Sequence, residues 1–150
     1  MTEVQEEILN RLCPEYEDFK NQLEQYSDYE LNLVINNLPD SIDDLQSSIN
    51  MEIQWDILGA LCSPFINGWD DFYSNYEGEI MDYCWGAGPF ISYNSYNNSY
   101  EINRETVIDI CKDLISNSEA DGDHTINEEV NFSEIIADLN RCYPVKFCEV

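Results

Sequence analysis

Between Lys20 and Arg104 the chain contains no lysine or arginine, yet fourteen aspartates and glutamates fall in that interval. Carboxylates without a local cation cannot be neutralised inside the molecule, so any fold must turn them to water or toward a partner. The bias runs through the whole sequence, where 31 acidic against 6 basic side chains leave a formal net charge of −25 over 150 residues. Such self-repulsion opposes compaction and weakens as salt rises. Hydrophobic residues at 43% and aromatics at 13% are nevertheless globular values, and they argue against a disordered acidic tail. The length fits one domain, residues 1–150, long enough to bury most of what the unfolded chain would expose.

No stretch reaches the roughly 18 consecutive apolar residues of a membrane span. The acidic start, MTEVQEEIL, lacks the basic flank and apolar core of a signal peptide. Cys13, Cys62, Cys84, Cys111, Cys142 and Cys148 are scattered without a CxxC pair. That pattern reads as reduced, mostly core-filling thiols in a cytoplasmic protein.

The expected fold class is mainly α with a small β-hairpin, an α+β arrangement in a single compact domain. Thr2 and Gln5 form a capping-box pair that opens a helix through Ile8, Leu9 and Leu12. Pro14 suits the first turn of a second helix carrying Tyr16, Phe19, Leu23 and Tyr26. YELNLVINNL is ambiguous, because Leu31, Leu33 and Ile35 alternate like a strand while Leu31, Val34, Ile35 and Leu38 fit a helix. Asp40 is placed to cap SIDDLQSSI, ahead of the apolar IQWDILGALC, which Pro64 ends. PFISYNSYNNSYEI has strand alternation around the turn residues NSYNN and predicts a hairpin. RETVIDICKDLIS and FSEIIADLNRC are amphipathic helices, and Pro144 closes the regular structure.

INGWDDFYSNYEGEIMDYCW, residues 66–85, holds five carboxylates and six large aromatics but no base. Helical spacing makes Phe72, Tyr76 and Ile80 one buried stripe, just as Trp55, Leu58 and Leu61 are core. Trp69, Asp70, Asp71, Tyr73 and Glu77, with Glu79 and Asp82, are then the partner-binding candidates. Tyr93, Tyr96 and Tyr100, interleaved with Asn94, Asn97 and Asn98 on the hairpin, form a second candidate surface of adaptable polar contacts. A compact body studded with carboxylates presents to a basic groove a field like that of DNA, which carries about one negative charge per 1.7 Å of axis. Nucleic acid itself would be repelled, so the expected partner is a basic nucleic-acid-binding protein or a nuclease. Self-association into a homodimer stays open.

INGWDDFYSNYEGE also resembles the motif of a family of acidic bacterial DNA-mimic proteins, in which an asparagine-glycine-glycine-phenylalanine turn precedes an aromatic pair, an asparagine and a glycine-acidic step. Asn67, Gly68, Trp69, Phe72, Tyr73, Asn75, Gly78 and Glu79 match in kind, although the second glycine is missing and tryptophan stands for phenylalanine. Tyr76, Gly78, Ile80, Gly86, Gly88 and Phe90 are similar to a pattern of the small antirestriction proteins. Both resemblances imply an inhibitor that occupies a nucleic-acid-handling protein, whether anti-restriction, anti-CRISPR or transcription-factor antagonist. An immunity protein that neutralises a basic toxin uses the same physics.

EADGDHTINEEV, residues 119–130, resembles an EF-hand loop between two predicted helices. In that register Glu119, Asp121, Asp123, the Thr125 carbonyl and Asn127 would ligate calcium. His124 stands where glycine belongs, and Val130 replaces the bidentate glutamate. A plain acidic connection with Asp-Gly turn chemistry is the competing reading, and no other cofactor is implied. His124 is the only histidine, expected exposed and without an orienting partner, and no phosphate-cradling or zinc-ligand spacing occurs. The expected activity is therefore binding without catalysis.

Overall fold

A computed structural model describes residues 2–11, 23–36, 39 and 42–150. Helix α1 (Glu3–Arg11) opens on the expected reciprocal cap, with the Gln5 amide N–H donating to Thr2 Oγ1 at 3.3 Å and the Thr2 N–H to Gln5 Oε1 at 3.0 Å. The ambiguous YELNLV segment is helical, α2 (Asp28–Val34). Ser27 and Glu30 decide it: they form a second capping box, satisfying two backbone N–H groups that a strand would not need satisfied there. A 3₁₀ turn (Ile42–Asp44) leads directly into α3 (Leu45–Cys62), so LQSSI and IQWDILGALC share one long helix. Pro14, Tyr16 and Phe19 of the expected second helix, the Asp40 cap and Cys13 lie outside the described residues, while Tyr26 stands in a bend rather than a helix.

The next helix, α4 (Trp69–Ala87), carries the acidic-aromatic stretch and is bent at Tyr76, where φ −129° and ψ 25° leave the helical region. Strands β1 (Ser92–Asn94) and β2 (Ser99–Ile102) are the expected hairpin, turning through Asn98 at φ 52°. Helices α5 (Arg104–Ser118) and α6 (Phe132–Cys142) follow. Asn103 caps α5, accepting the Thr106 N–H at 3.1 Å. Pro144 does not close the regular structure: β3 (Lys146–Glu149) follows it and pairs in parallel with β2. The sheet order is therefore β1-β2-β3, and the parallel ladder is reached by a crossover through α5 and α6. Asn140 holds β3 by its side chain, donating to the Phe147 carbonyl at 3.0 Å and accepting the Phe147 N–H at 2.7 Å. The described residues are thus mostly helical with a small three-stranded sheet, the expected α+β class.

Backbone contacts gather into two compact units, Met1–Ile53 and Gln54–Val150, with the division inside α3. In the first, Ile8, Leu23, Leu31, Val34, Leu45 and Ile49 are buried, and Gln5 Nε2 donates to the Leu23 carbonyl at 3.1 Å. In the second, Phe65, Phe72, Ile80, Leu114, Phe132 and Phe147 are among the buried residues. Cys62, Cys84 and Cys111 are free thiols buried in this second unit, whereas Cys142 is exposed. Hydrogen bonding to Cys111 and burial push the Cys62 thiol well above its ordinary range, which makes it a packing group rather than a nucleophile. Among the described residues no helix is long and apolar enough to cross a membrane.

A candidate partner surface and a histidine clasp

Two helix–loop–helix segments meet at the N-terminus of α4. The short 63–68 connection between α3 and α4 lies against the 119–131 connection between α5 and α6. Ile66 and Ile126 form an antiparallel bridge, with the Asn67 N–H donating to the Thr125 carbonyl at 2.9 Å and the Asn127 N–H to the Phe65 carbonyl at 2.7 Å. Asn67 Nδ2 adds a bond to Thr125 Oγ1 at 2.8 Å. Gly68, at φ 76°, is in the left-handed region, and a Cβ there would stand 3.1 Å from His124 Cδ2. Backbone conformation therefore favours glycine at this turn, and a Cβ there would also crowd His124.

This pairing weighs against the calcium reading. The Thr125 carbonyl, one of the expected ligands, already accepts from Asn67. Glu119 is buried, and its carboxylate accepts from the His124 N–H at 2.9 Å and from His124 Nδ1. Asp121 and Asp123 are exposed, and the Asn127 side chain accepts from the Glu129 N–H at 3.1 Å. Among the described residues no three His, Cys, Asp or Glu side chains are grouped to hold a metal. Of the expected ligands, Glu119, the Thr125 carbonyl and Asn127 are thus hydrogen-bonded within the protein, while Asp121 and Asp123 face solvent.

His124 is also not the exposed, partnerless residue expected from sequence. Its side chain retains 11% of its accessible surface, and it stands between two carboxylates, Glu119 on Nδ1 and Asp71 of α4 on Nε2 at 3.1 Å. Phe72 covers it, with ring centroids 5.3 Å apart. Neutral imidazole has one N–H, so two carboxylate partners favour the doubly protonated ring. The hydrogen bond to Glu119, reinforced by its charge and by Asp71, raises the His124 pKa above the ordinary 6.5 even though burial pulls it down. A raised folded-state pKa stabilises the fold fully below 6.5, and that contribution is lost as pH climbs through the raised value. The thermal midpoint should therefore fall as pH is raised from about 6 to about 9, where carboxylates no longer titrate. His124→Gln should flatten that decline; an equally steep decline in the variant would show that other groups cause it.

The candidate partner residues separate by burial. Asp70, Asp71, Glu77, Glu79 and Asp82 are all exposed on α4, as expected. Among the described residues no lysine or arginine pairs with Asp70, Glu77, Glu79 or Asp82. Three described cations pair with other acids: Arg104 with Glu105, Lys112 with Glu128 at 2.8 Å, and Arg141 with Asp138. Tyr73 is half-buried and makes a long bond to Glu77 at 3.5 Å. Trp69 is a correction, since only 9% of it is exposed; it packs near Gly59, the one residue of its α3 turn without a side chain to exclude it.

On the hairpin, Tyr96 is 99% exposed and Tyr93 half-buried, but Tyr100 is buried. Tyr100 lies on the central strand, opposite Tyr93 on one side and Phe147 on the other, with ring centroids 5.0 and 6.2 Å away. It is a sheet-core residue and leaves the candidate surface. Sequence reasoning missed two exposed apolar side chains, Met81 and Trp85, one helical turn apart on α4. Their i,i+4 spacing outside the Phe72–Ile80 stripe was the available signal.

No protein-family model, curated protein or solved structure matches the chain.

Proposed function

We propose that the protein is a stoichiometric inhibitor that occupies the basic nucleic-acid-binding surface of a partner protein, a nuclease included, and blocks it sterically and electrostatically. The observation that carries this reading is helix α4, on which Asp70, Glu77, Glu79 and Asp82 are exposed without an ion-pair partner among the described residues, together with exposed Met81 and Trp85. Unpaired carboxylates steer a cationic partner, and large apolar side chains among them supply contact energy once water is expelled. The partner's DNA or RNA, carrying the same sign of charge, competes for the same groove. The reading puts the protein in the cytoplasm, working by binding rather than by chemistry.

The test is capture of a partner on immobilised protein at about 50 mM and about 500 mM salt, conditions that differ severalfold in screening length. The captured partner is then given a labelled duplex. Release by high salt and mutually exclusive binding of duplex and inhibitor are expected. A ternary complex of partner, duplex and this protein, or no cationic partner at low salt, would sink the reading.

A further inference from the structure

Between α3 and α4 there is a cleft of about 230 Å³ lined by Trp55, Leu58, Gly59, Trp69 and Tyr73. It is smaller than the roughly 300–1,000 Å³ of sites for drug-sized ligands, which suits a single side chain. Trp69 and Tyr73 form one wall, their ring centroids 5.5 Å apart. Trp55 lies on the other wall and is itself packed against Trp85 at 5.9 Å.

The space exists because position 59 is glycine. A Cβ there would meet only Trp69 Nε1, at an ordinary 3.7 Å, so alanine would fit. Glycine within a helix costs about 1 kcal/mol relative to alanine. The helix bears that cost with no steric need, and the cleft is the result. The indole N–H of Trp55 is also buried with no hydrogen-bond partner, a further cost left standing on the same wall.

The surroundings are negative. Asp56 and Asp70 are the chain neighbours of the two lining indoles, both exposed, and Glu77 accepts the Tyr73 hydroxyl. Ring faces carry the negative end of the aromatic quadrupole, so rings and carboxylates act with the same sign. An anion is repelled, and an ammonium is held back by its strong hydration. A guanidinium is planar, weakly hydrated, stacks on aromatic faces and still offers N–H groups to a carboxylate such as Glu77, which accepts from the Tyr73 hydroxyl on the lining.

We propose that this cleft receives an arginine side chain of the partner, stacked between Trp55 and the Trp69–Tyr73 pair; the proposal rests on the partner being basic. The rings select guanidinium, while the net charge of −25 attracts cations of any kind.

The experiment titrates the protein with a short arginine peptide, its lysine counterpart and an uncharged peptide of equal length, following the indole N–H resonances of Trp55, Trp69 and Trp85. The arginine peptide should bind about tenfold more tightly than the lysine peptide and move the Trp55 and Trp69 signals most. Gly59→Leu fills the cleft without removing a ring or a charge and should abolish the arginine preference. Tyr73→Leu, which removes one ring at a half-buried position, should reduce it independently should the first variant fold poorly. Equal binding of arginine and lysine peptides, the same indole shifts with the uncharged peptide, or an undiminished preference in both variants would overturn the proposal. A partner whose duplex is displaced equally well by Gly59→Leu and the parent protein sinks the cleft alone. An arginine preference without displacement of any partner's duplex supports the cleft and sinks only the inhibitor reading.

Discussion

Replacing Asp70, Glu79 and Asp82 together by lysine should slow association with the basic partner by about tenfold to a thousandfold, the range over which electrostatic steering changes encounter rates. All three side chains are exposed on α4 and none has an ion-pair partner among the described residues, so reversal breaks no internal pair. Asp71 is left intact because it bonds His124. Dissociation should change much less, since rim charges act mainly on the encounter. The dependence of the association rate on ionic strength should flatten as well. A control triple, Glu24, Asp109 and Glu129 to lysine, changes the net charge equally at exposed sites on other segments. If both triples slow association alike, the steering comes from overall charge and α4 is not the contact face. If only the α4 triple does, the face is located by kinetics.

The parts of the molecule that follow local rules were readable before any coordinates. Thr2 with Gln5 announces α1, and the FSEIIADLNRC period announces α6 with its buried Phe132, Ile135, Ile136 and Leu139. The acidic side chains of α4 face water as their charge requires. What was not readable depends on long-range pairing. β3 is four residues with no hairpin turn to declare it, and its parallel partner lies beyond two helices, so Pro144 looked like an ending. Because β3 pairs on its other side, β2 is the central strand and its Tyr100 is sheet core rather than surface.

The histidine clasp was hidden for the same reason. Glu119 is close to His124 in sequence, but Asp71 and Phe72 come from another helix, brought in by the Ile66–Ile126 bridge. The acidic loop therefore reads as a cation site in sequence, whereas in the fold its Glu119 is bonded to His124. Trp69 had one local clue, an isolated glycine inside an apolar helix, which usually has a packing reason. Gly59 lines the cleft beside that indole, although a Cβ there would stand an ordinary 3.7 Å from Trp69 Nε1.

Phe72→Ala should lower the stability of the fold by about 3–5 kcal/mol, the cost of deleting a fully buried phenylalanine ring from a packed core. The Phe72 side chain is completely inaccessible, and its ring stands 6.1 Å from Trp69, 5.4 Å from Tyr76 and 5.3 Å from His124. Against a typical total of about 5–15 kcal/mol, such a loss leaves little native population in reserve. Urea unfolding should show the midpoint moving with the slope unchanged; a loss below about 1 kcal/mol would mean that the ring holds no core. The more telling quantity is the coupling with His124. A protonated imidazole within about 6 Å of a ring centroid gains cation–π attraction that a neutral ring forgoes. The double-mutant cycle of Phe72→Ala with His124→Gln should therefore give a coupling above about 0.5 kcal/mol at acidic pH. That coupling should shrink as pH rises through the elevated pKa of the histidine, because the attraction disappears with the proton. A coupling that does not vary with pH would leave Phe72 as packing alone, and the clasp would then rest on Glu119 and Asp71.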